Sequence, residues 1–112
     1  MKKEELVELQ NKNTSILILF LTASWCGPCK KIKPYVYELL KICPYPCYCL
    51  DVDENSEIYG ALRVKKQIRG VPTILAFKAG NISFIPDYSV CGTNVENIQY
   101  FFNSLGIVKN VN

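Results

Sequence analysis

Apolar and polar positions divide this chain into eight blocks with distinct periods. Residues 2–11 place Leu6 and Leu9 on one side of a helix with glutamates early, and Asn11 to Asn13 closes the block. Residues 15–21, Ser-Ile-Leu-Ile-Leu-Phe-Leu, are a continuous apolar run, which predicts a strand buried on both faces. Ser24-Trp25-Cys26-Gly27-Pro28 breaks that run. Residues 29–42 return to a helical period, with Ile32, Val36, Leu39 and Leu40 on one face and Pro34 expected to kink the helix. Pro44 and Pro46 end it. Residues 47–52 predict a second strand and 56–66 a third helix with Ser56 as its cap. Gly70-Val71-Pro72 is a turn or extended link into a third strand, 73–77. Ala79-Gly80-Asn81 then predicts a hairpin turn into a fourth strand at 82–85. Thr93 with Glu96 suits a capping box for a last helix, 95–105, which Gly106 stops.

The order is α-β-α-β-α-β-β-α. Early strands separated by helices predict parallel pairing, and the closing hairpin adds an antiparallel edge. The fold class is therefore α/β, a central mixed sheet of about four strands flanked by helices on both faces. A length of 112 residues suits one domain, 1–112, and 49% apolar residues suffice to fill one core. No Pro/Gly/Ser-rich linker divides it.

Charge narrows the functional classes. A net charge of +3, with lysines scattered in twos, is a solvated surface and not the basic patch of a nucleic-acid binder. No histidine is present, so imidazole ligands, bases and pH switches are excluded. Glu4, Glu5 and Glu8 interrupt any signal-peptide core, and the apolar run from Ile16 to Leu21 is too short to span a bilayer. The expectation is a soluble, cytoplasmic protein with no membrane partner. In that compartment most of the six cysteines are thiols, kept reduced or used chemically.

Cys26 and Cys29 carry the candidate chemistry. Cys26 falls at a helix N-terminus, where unpaired N–H groups and the helix dipole stabilise a thiolate. Cys29, three residues on, lies on the same face within disulfide reach. Pro28 suits the first turn, where its missing N–H has no partner to lose. Three readings fit this pair: a redox couple, an inert packing pair or staple, and half of a zinc site completed by Cys47 and Cys49. The Cys-x-Cys spacing of the latter departs from usual zinc spacing, and no metal is expected.

Trp25-Cys26-Gly27-Pro28-Cys29-Lys30 resembles the active-site motif of thioredoxins. The resemblance runs through nearly the whole chain: Pro34, Asp51-Val52-Asp53-Glu54-Asn55, Gly70-Val71-Pro72-Thr73, Phe77-Lys78 with Gly80, and Gly92 before the last helix. It implies a thioredoxin-like fold and a protein-disulfide reductase that needs no cofactor beyond its own redox-active Cys26–Cys29 disulfide. Cys26 would be the nucleophile and Cys29 the resolving thiol. The Val71–Pro72 bond would be cis, Val71 would pair with an extended substrate segment, and Trp25, Gly27, Pro28, Pro72 and Gly92 would complete the docking surface. Implied partners are protein disulfides and a recycling reductase such as thioredoxin reductase, met by a monomer. A second functional reading is a thioredoxin-fold binding or subunit module whose redox activity is incidental.

The chain also departs from that family. Phe20 stands where thioredoxins usually carry a buried Asp, Thr22 where they carry a Trp, and Cys49 where a Lys is common. Loss of the Asp and Lys together reads as a buried ion pair replaced by apolar groups. Between Asp53 and Pro72, and again between Gly80 and Gly92, there are about four extra residues, roughly one helical turn each. With 25 residues before Cys26, the usual first strand is expected to be absent. Cys43, Cys47 and Cys49 read as small buried hydrophobes, and Cys91 as an inert thiol.

Overall fold

The apolar run after Ser15 becomes the central strand of the sheet because both of its faces are covered. The structure, a computed structural model, describes residues 1–64 and 68–107. Its elements are α1 (Lys3–Lys12), β1 (Ile16–Thr22), α2 (Gly27–Lys41), β2 (Cys47–Asp51), α3 (Ser56–Val64), β3 (Thr73–Lys78), β4 (Tyr88–Cys91) and α4 (Val95–Ser104). The expected end of α3 at residues 65–66 lies outside the described residues. The sheet order is β2-β1-β3-β4. Alternation along β1 sorts the core into two halves. Leu17, Leu19 and Leu21 pack with Leu6 of α1 and with Ile58 and Leu62 of α3. Ile18 and Phe20 pack with Ile32, Val36 and Leu39 of α2 and with Ile98, Phe101 and Phe102 of α4. Helices thus cover both faces of a mixed four-stranded sheet, as expected.

Three expectations about local structure are corrected. β1 and β2 are parallel, but β3 runs antiparallel to β1, with Leu21 opposite Thr73. The chain leaves β2 and re-enters as β3 at the same end of the sheet, so the α3 connection does not return the chain to the strand's starting edge. The fourth strand is Tyr88–Cys91 and not 82–85; it pairs antiparallel with β3, Thr73 opposite Cys91 and Ala76 opposite Tyr88. Residues between Lys78 and Tyr88 are held by two backbone bonds, Asn81 N–H to the Lys78 carbonyl at 3.1 Å and Asp87 N–H to the Ala76 carbonyl at 2.9 Å, and otherwise by side chains. Asp87 Oδ2 accepts from the Lys78 N–H at 2.7 Å and from Asn81 Nδ2 at 2.9 Å, and Asn81 also binds the Ile85 carbonyl and the Ser83 N–H. These short-range bonds compete with a ladder, and Ile82 and Ile85 are left exposed. Partial burial alone would raise the Asp87 pKa, but its hydrogen bonds and the Lys78 charge outweigh that and hold it below its ordinary value.

The third correction concerns α4. Its cap is Asn94, whose side chain accepts the Asn97 N–H at 2.9 Å; no Thr93–Glu96 box forms. The other end follows the sequence. Gly106 takes φ +81, and the Ile107 N–H reaches back to the Phe102 carbonyl at 2.9 Å, as in a Schellman motif. α2 begins at Gly27, two residues earlier than expected, because Cys26 caps it, and it continues without interruption past Pro34.

Candidate active site

Cys26 and Cys29 are placed by the junction of β1 and α2. Ala23 closes a turn by accepting the Cys26 N–H at 3.2 Å. Cys26 then stands at the N-cap, with Gly27 and Pro28 opening the helix. Its Sγ accepts the Cys29 N–H at 3.1 Å, the position a Ser or Asp oxygen takes in an ordinary cap. The two cysteines are joined by a disulfide, with Cα atoms 5.2 Å apart. When that bond is opened, the same N–H faces a thiolate and the bond to it becomes charge-assisted. Cys26 keeps 4% of its surface exposed and Cys29 none.

The antiparallel entry of β3 brings a second segment beside the pair. The Val71–Pro72 bond is cis. The Val71 carbonyl oxygen lies 3.8 Å from Cys26 Sγ, and the Pro72 carbonyl accepts the Gly92 N–H at 2.9 Å. Gly92 has φ +98, a region that side-chain-bearing residues rarely adopt. Thr73 Oγ1 donates to the Gly70 carbonyl at 2.6 Å and closes the turn. Trp25, Gly27 and Pro28 are exposed, Val71 and Gly92 half-buried, and Pro72 buried. The structure therefore joins Cys26 to Val71 and Pro72 to Gly92, while Pro72 itself lies beneath the surface.

Two acidic residues, whose roles the sequence did not reveal, organise the rim. Asp51, at the end of β2, accepts the Ser24 N–H at 3.0 Å and the Asp53 N–H at 2.9 Å, tying the two loops together. Asp53 Oδ2 in turn accepts the indole N–H of Trp25 at 2.8 Å, although the ring is 67% exposed. An exposed indole held by one bond is free to swing without it. Trp25 is the only tryptophan in the chain, so its emission reports this contact directly. Asp53→Ala is expected to lower the steady-state anisotropy of Trp25; unchanged anisotropy would show that something else holds the ring.

Positions 20 and 49 are paired neighbours in the β1–β2 register. Phe20 is 1% exposed and meets Tyr37 edge-to-face at 6.1 Å. Cys49, however, is exposed, which corrects its reading as a buried hydrophobe. Cys43 and Cys47 are half-buried and Cys91 is exposed. Among the described residues no three Cys, Asp or Glu side chains gather as a metal site, and no helix is long and apolar enough to cross a membrane.

Comparison with known proteins agrees with this geometry. The family model Thioredoxin matches residues 2–103. A thioredoxin of Geodia cydonium is 37% identical over 92 residues, covering 81% of this chain and 80% of that protein. Putative thioredoxin-5 of Dictyostelium discoideum is 34% identical over 83 residues, covering 70% of this chain and 74% of its own length. Among solved structures, the oxidised thioredoxin of Plasmodium falciparum superposes with a TM-score of 0.67 at 28% identity, over 90% of this chain and 89% of that one. The thioredoxin of Malassezia sympodialis gives 0.70 at 27% identity, over 92% and 87%. With a helix-capping disulfide set beside a cis-proline turn, and with relatives of this similarity along most of its length, this chain belongs to the thioredoxin family, a thiol–disulfide oxidoreductase that works through its own Cys26–Cys29 couple.

Proposed function

We propose that the protein reduces disulfides in other proteins, with Cys26 as the nucleophile and Cys29 as the resolving thiol. The observation that carries this is the Cys29 N–H aimed at Cys26 Sγ at the cap of α2, with Cys29 buried behind it. Cys26 thiolate attacks a target disulfide and expels one target thiolate, leaving a mixed disulfide. Cys29 then attacks Cys26 Sγ, releases the second target thiol and closes the Cys26–Cys29 disulfide.

In this reading Trp25, Gly27, Pro28, Val71, Pro72 and Gly92 form the docking surface. An extended target segment pairs with the backbone at Val71, and Pro72 acts from below by setting that backbone in place. A recycling reductase of the thioredoxin-reductase type returns the pair to the dithiol, and the chain acts as a monomeric, one-domain electron carrier in cytoplasmic redox homeostasis. Reduction of insulin disulfides, driven by such a reductase, tests the proposal. Turnover that depends on Cys26 supports it. A stable complex with a partner protein, without turnover, would favour the alternative of a binding module.

A further inference from the structure

We propose that Cys43 and Cys47 form a second redox-active dithiol, separate from Cys26–Cys29, that closes to a disulfide by exchange with a small disulfide of the glutathione type. The two residues bracket the loop Cys43-Pro44-Tyr45-Pro46-Cys47 between α2 and β2. Each end is anchored. The Cys43 N–H is bound to the Leu40 carbonyl at 3.2 Å in the last turn of α2, and Cys47 opens β2 opposite Ile18, whose N–H binds the Pro46 carbonyl at 2.9 Å. Pro44 and Pro46 fix two backbone angles in the loop. Between them Tyr45 is tethered by its hydroxyl, which donates to the Leu105 carbonyl at 3.2 Å.

The result is convergence of the two sulfurs. Cys43 Sγ and Cys47 Sγ are 3.4 Å apart, and both face the Tyr45 carbonyl, at 3.7 and 3.1 Å. A disulfide needs about 2.05 Å, so side-chain rotation has only about 1.4 Å to close. Cys49, the third cysteine of this region, is exposed and stands outside the contact. Half-burial of both cysteines against the core under α2 and α4 admits a slender disulfide more readily than a folded protein. The pair is also isolated from the active site. α2 is 15 residues long, about 22 Å at 1.5 Å per residue, so no exchange between the two couples occurs within one chain.

The order of events follows from the same contacts. Burial, and then the hydrogen bond and charge of Cys43, push the Cys47 thiol well above its ordinary pKa, so Cys47 keeps its proton. Cys43, its proton released to solvent, attacks one sulfur of the small disulfide RSSR. The S–S bond breaks, one thiolate leaves and takes up a proton, and Cys43 carries the mixed disulfide. Cys47 then gives up its proton and attacks Cys43 Sγ, expelling the second RSH. One RSSR and two cysteine thiols become one Cys43–Cys47 disulfide and two RSH; the two electrons leave on the released thiols.

The test is equilibration of the full, unmodified chain in glutathione redox buffers, with acid quenching, alkylation and mapping of the tryptic fragment 42–63. The expected product is that fragment lighter by two hydrogens, linked Cys43 to Cys47, with Cys49 alkylated. With glutathione at ~0.1 mM, the linked form should exceed the glutathione adduct by about tenfold or more, because a neighbouring thiol acts at millimolar or higher effective concentration. Cys47→Ser should leave a persistent glutathione adduct on Cys43. Cys43→Ser removes the charge of Cys43 but leaves burial, the larger cause, so Cys47 in that variant should be modified about tenfold or more slowly than Cys43 in Cys47→Ser. The proposal is overturned if linkage runs through Cys49, or if a single adduct accumulates with the other thiol still free. It is equally overturned if both thiols survive in a buffer that fully oxidises Cys26–Cys29 in the same sample.

Discussion

Cys26→Ser is expected to abolish reduction of protein disulfides, by at least about 10³-fold, the order of loss when a covalent catalyst is deprived of its nucleophile. Cys29→Ser should behave differently and accumulate a mixed disulfide between Cys26 and the target. The asymmetry has two sources. Cys26 Sγ receives the Cys29 N–H at the positive end of α2, which stabilises its thiolate, whereas Cys29 is wholly buried. Only the first sulfur reaches a target, and only the second can release it. Serine at 29 leaves the 3.1 Å backbone bond in place, so attack should persist while resolution stops. Non-reducing gels with mass mapping of the trapped species are the measurement. Trapping through Cys29 in the Cys26→Ser variant would reverse the assignment.

Phe20→Asp should destabilise the protein by at least about 4 kcal/mol, combining the loss of a packed aromatic ring with burial of a carboxylate. That is a large part of the ~5–15 kcal/mol that holds an average domain together. Phe20 is 1% exposed and lies against Tyr37. Phe20→Asn, which loses the same ring without gaining a charge, isolates the electrostatic part. Burial raises the folded-state pKa of an aspartate there above its unfolded value of about 3.9. The acid variant should therefore match the amide variant best below that value, and lose stability relative to it as pH rises through the folded pKa. Because positions 20 and 49 are neighbours in the β1–β2 register, adding Cys49→Lys should recover about 1 kcal/mol or more beyond additivity. Position 49 is exposed, so a lysine there keeps its charge in water. Denaturant midpoints across the four-member cycle measure this; zero coupling would end the reading of a jointly lost ion pair.

The same residue shapes the kinetics. With phenylalanine at position 20, no carboxylate there can take the proton from Cys29. Attack of Cys29 on the mixed disulfide should then accelerate with pH as its own thiolate forms, without a carboxylate shoulder near neutrality. Stopped-flow resolution rates against pH would show such a shoulder if another acid had taken over.

Much of this molecule is written in local pattern. The run of alternating large apolar residues in β1 needs cover on both sides, and its odd and even positions sort into the two core halves. The helical spacing of Ile32, Val36 and Leu39, the glycine stop at Gly106, and a cysteine at the mouth of a helix with its partner three residues on are likewise features of neighbouring residues. Chain energetics at that range are decided by backbone preference and by the period of burial, both visible one residue at a time. The direction of β3, and with it the meeting of Val71 with Cys26, depended on where the α3 connection returns to the sheet. The fourth strand moved from 82–85 to Tyr88–Cys91 because Asp87 and Asn81 satisfy backbone and side-chain groups that a strand would otherwise pair. The Asp53 bond to Trp25 spans 28 residues, and the exposure of Cys49 depended on which strand became the edge of the sheet. The proximity of Cys43 to Cys47 rests on a loop pinned at both ends by Leu40 and Ile18. In each case the outcome depends on which distant groups close packing presents to one another, and local residue preference carries no information about that choice.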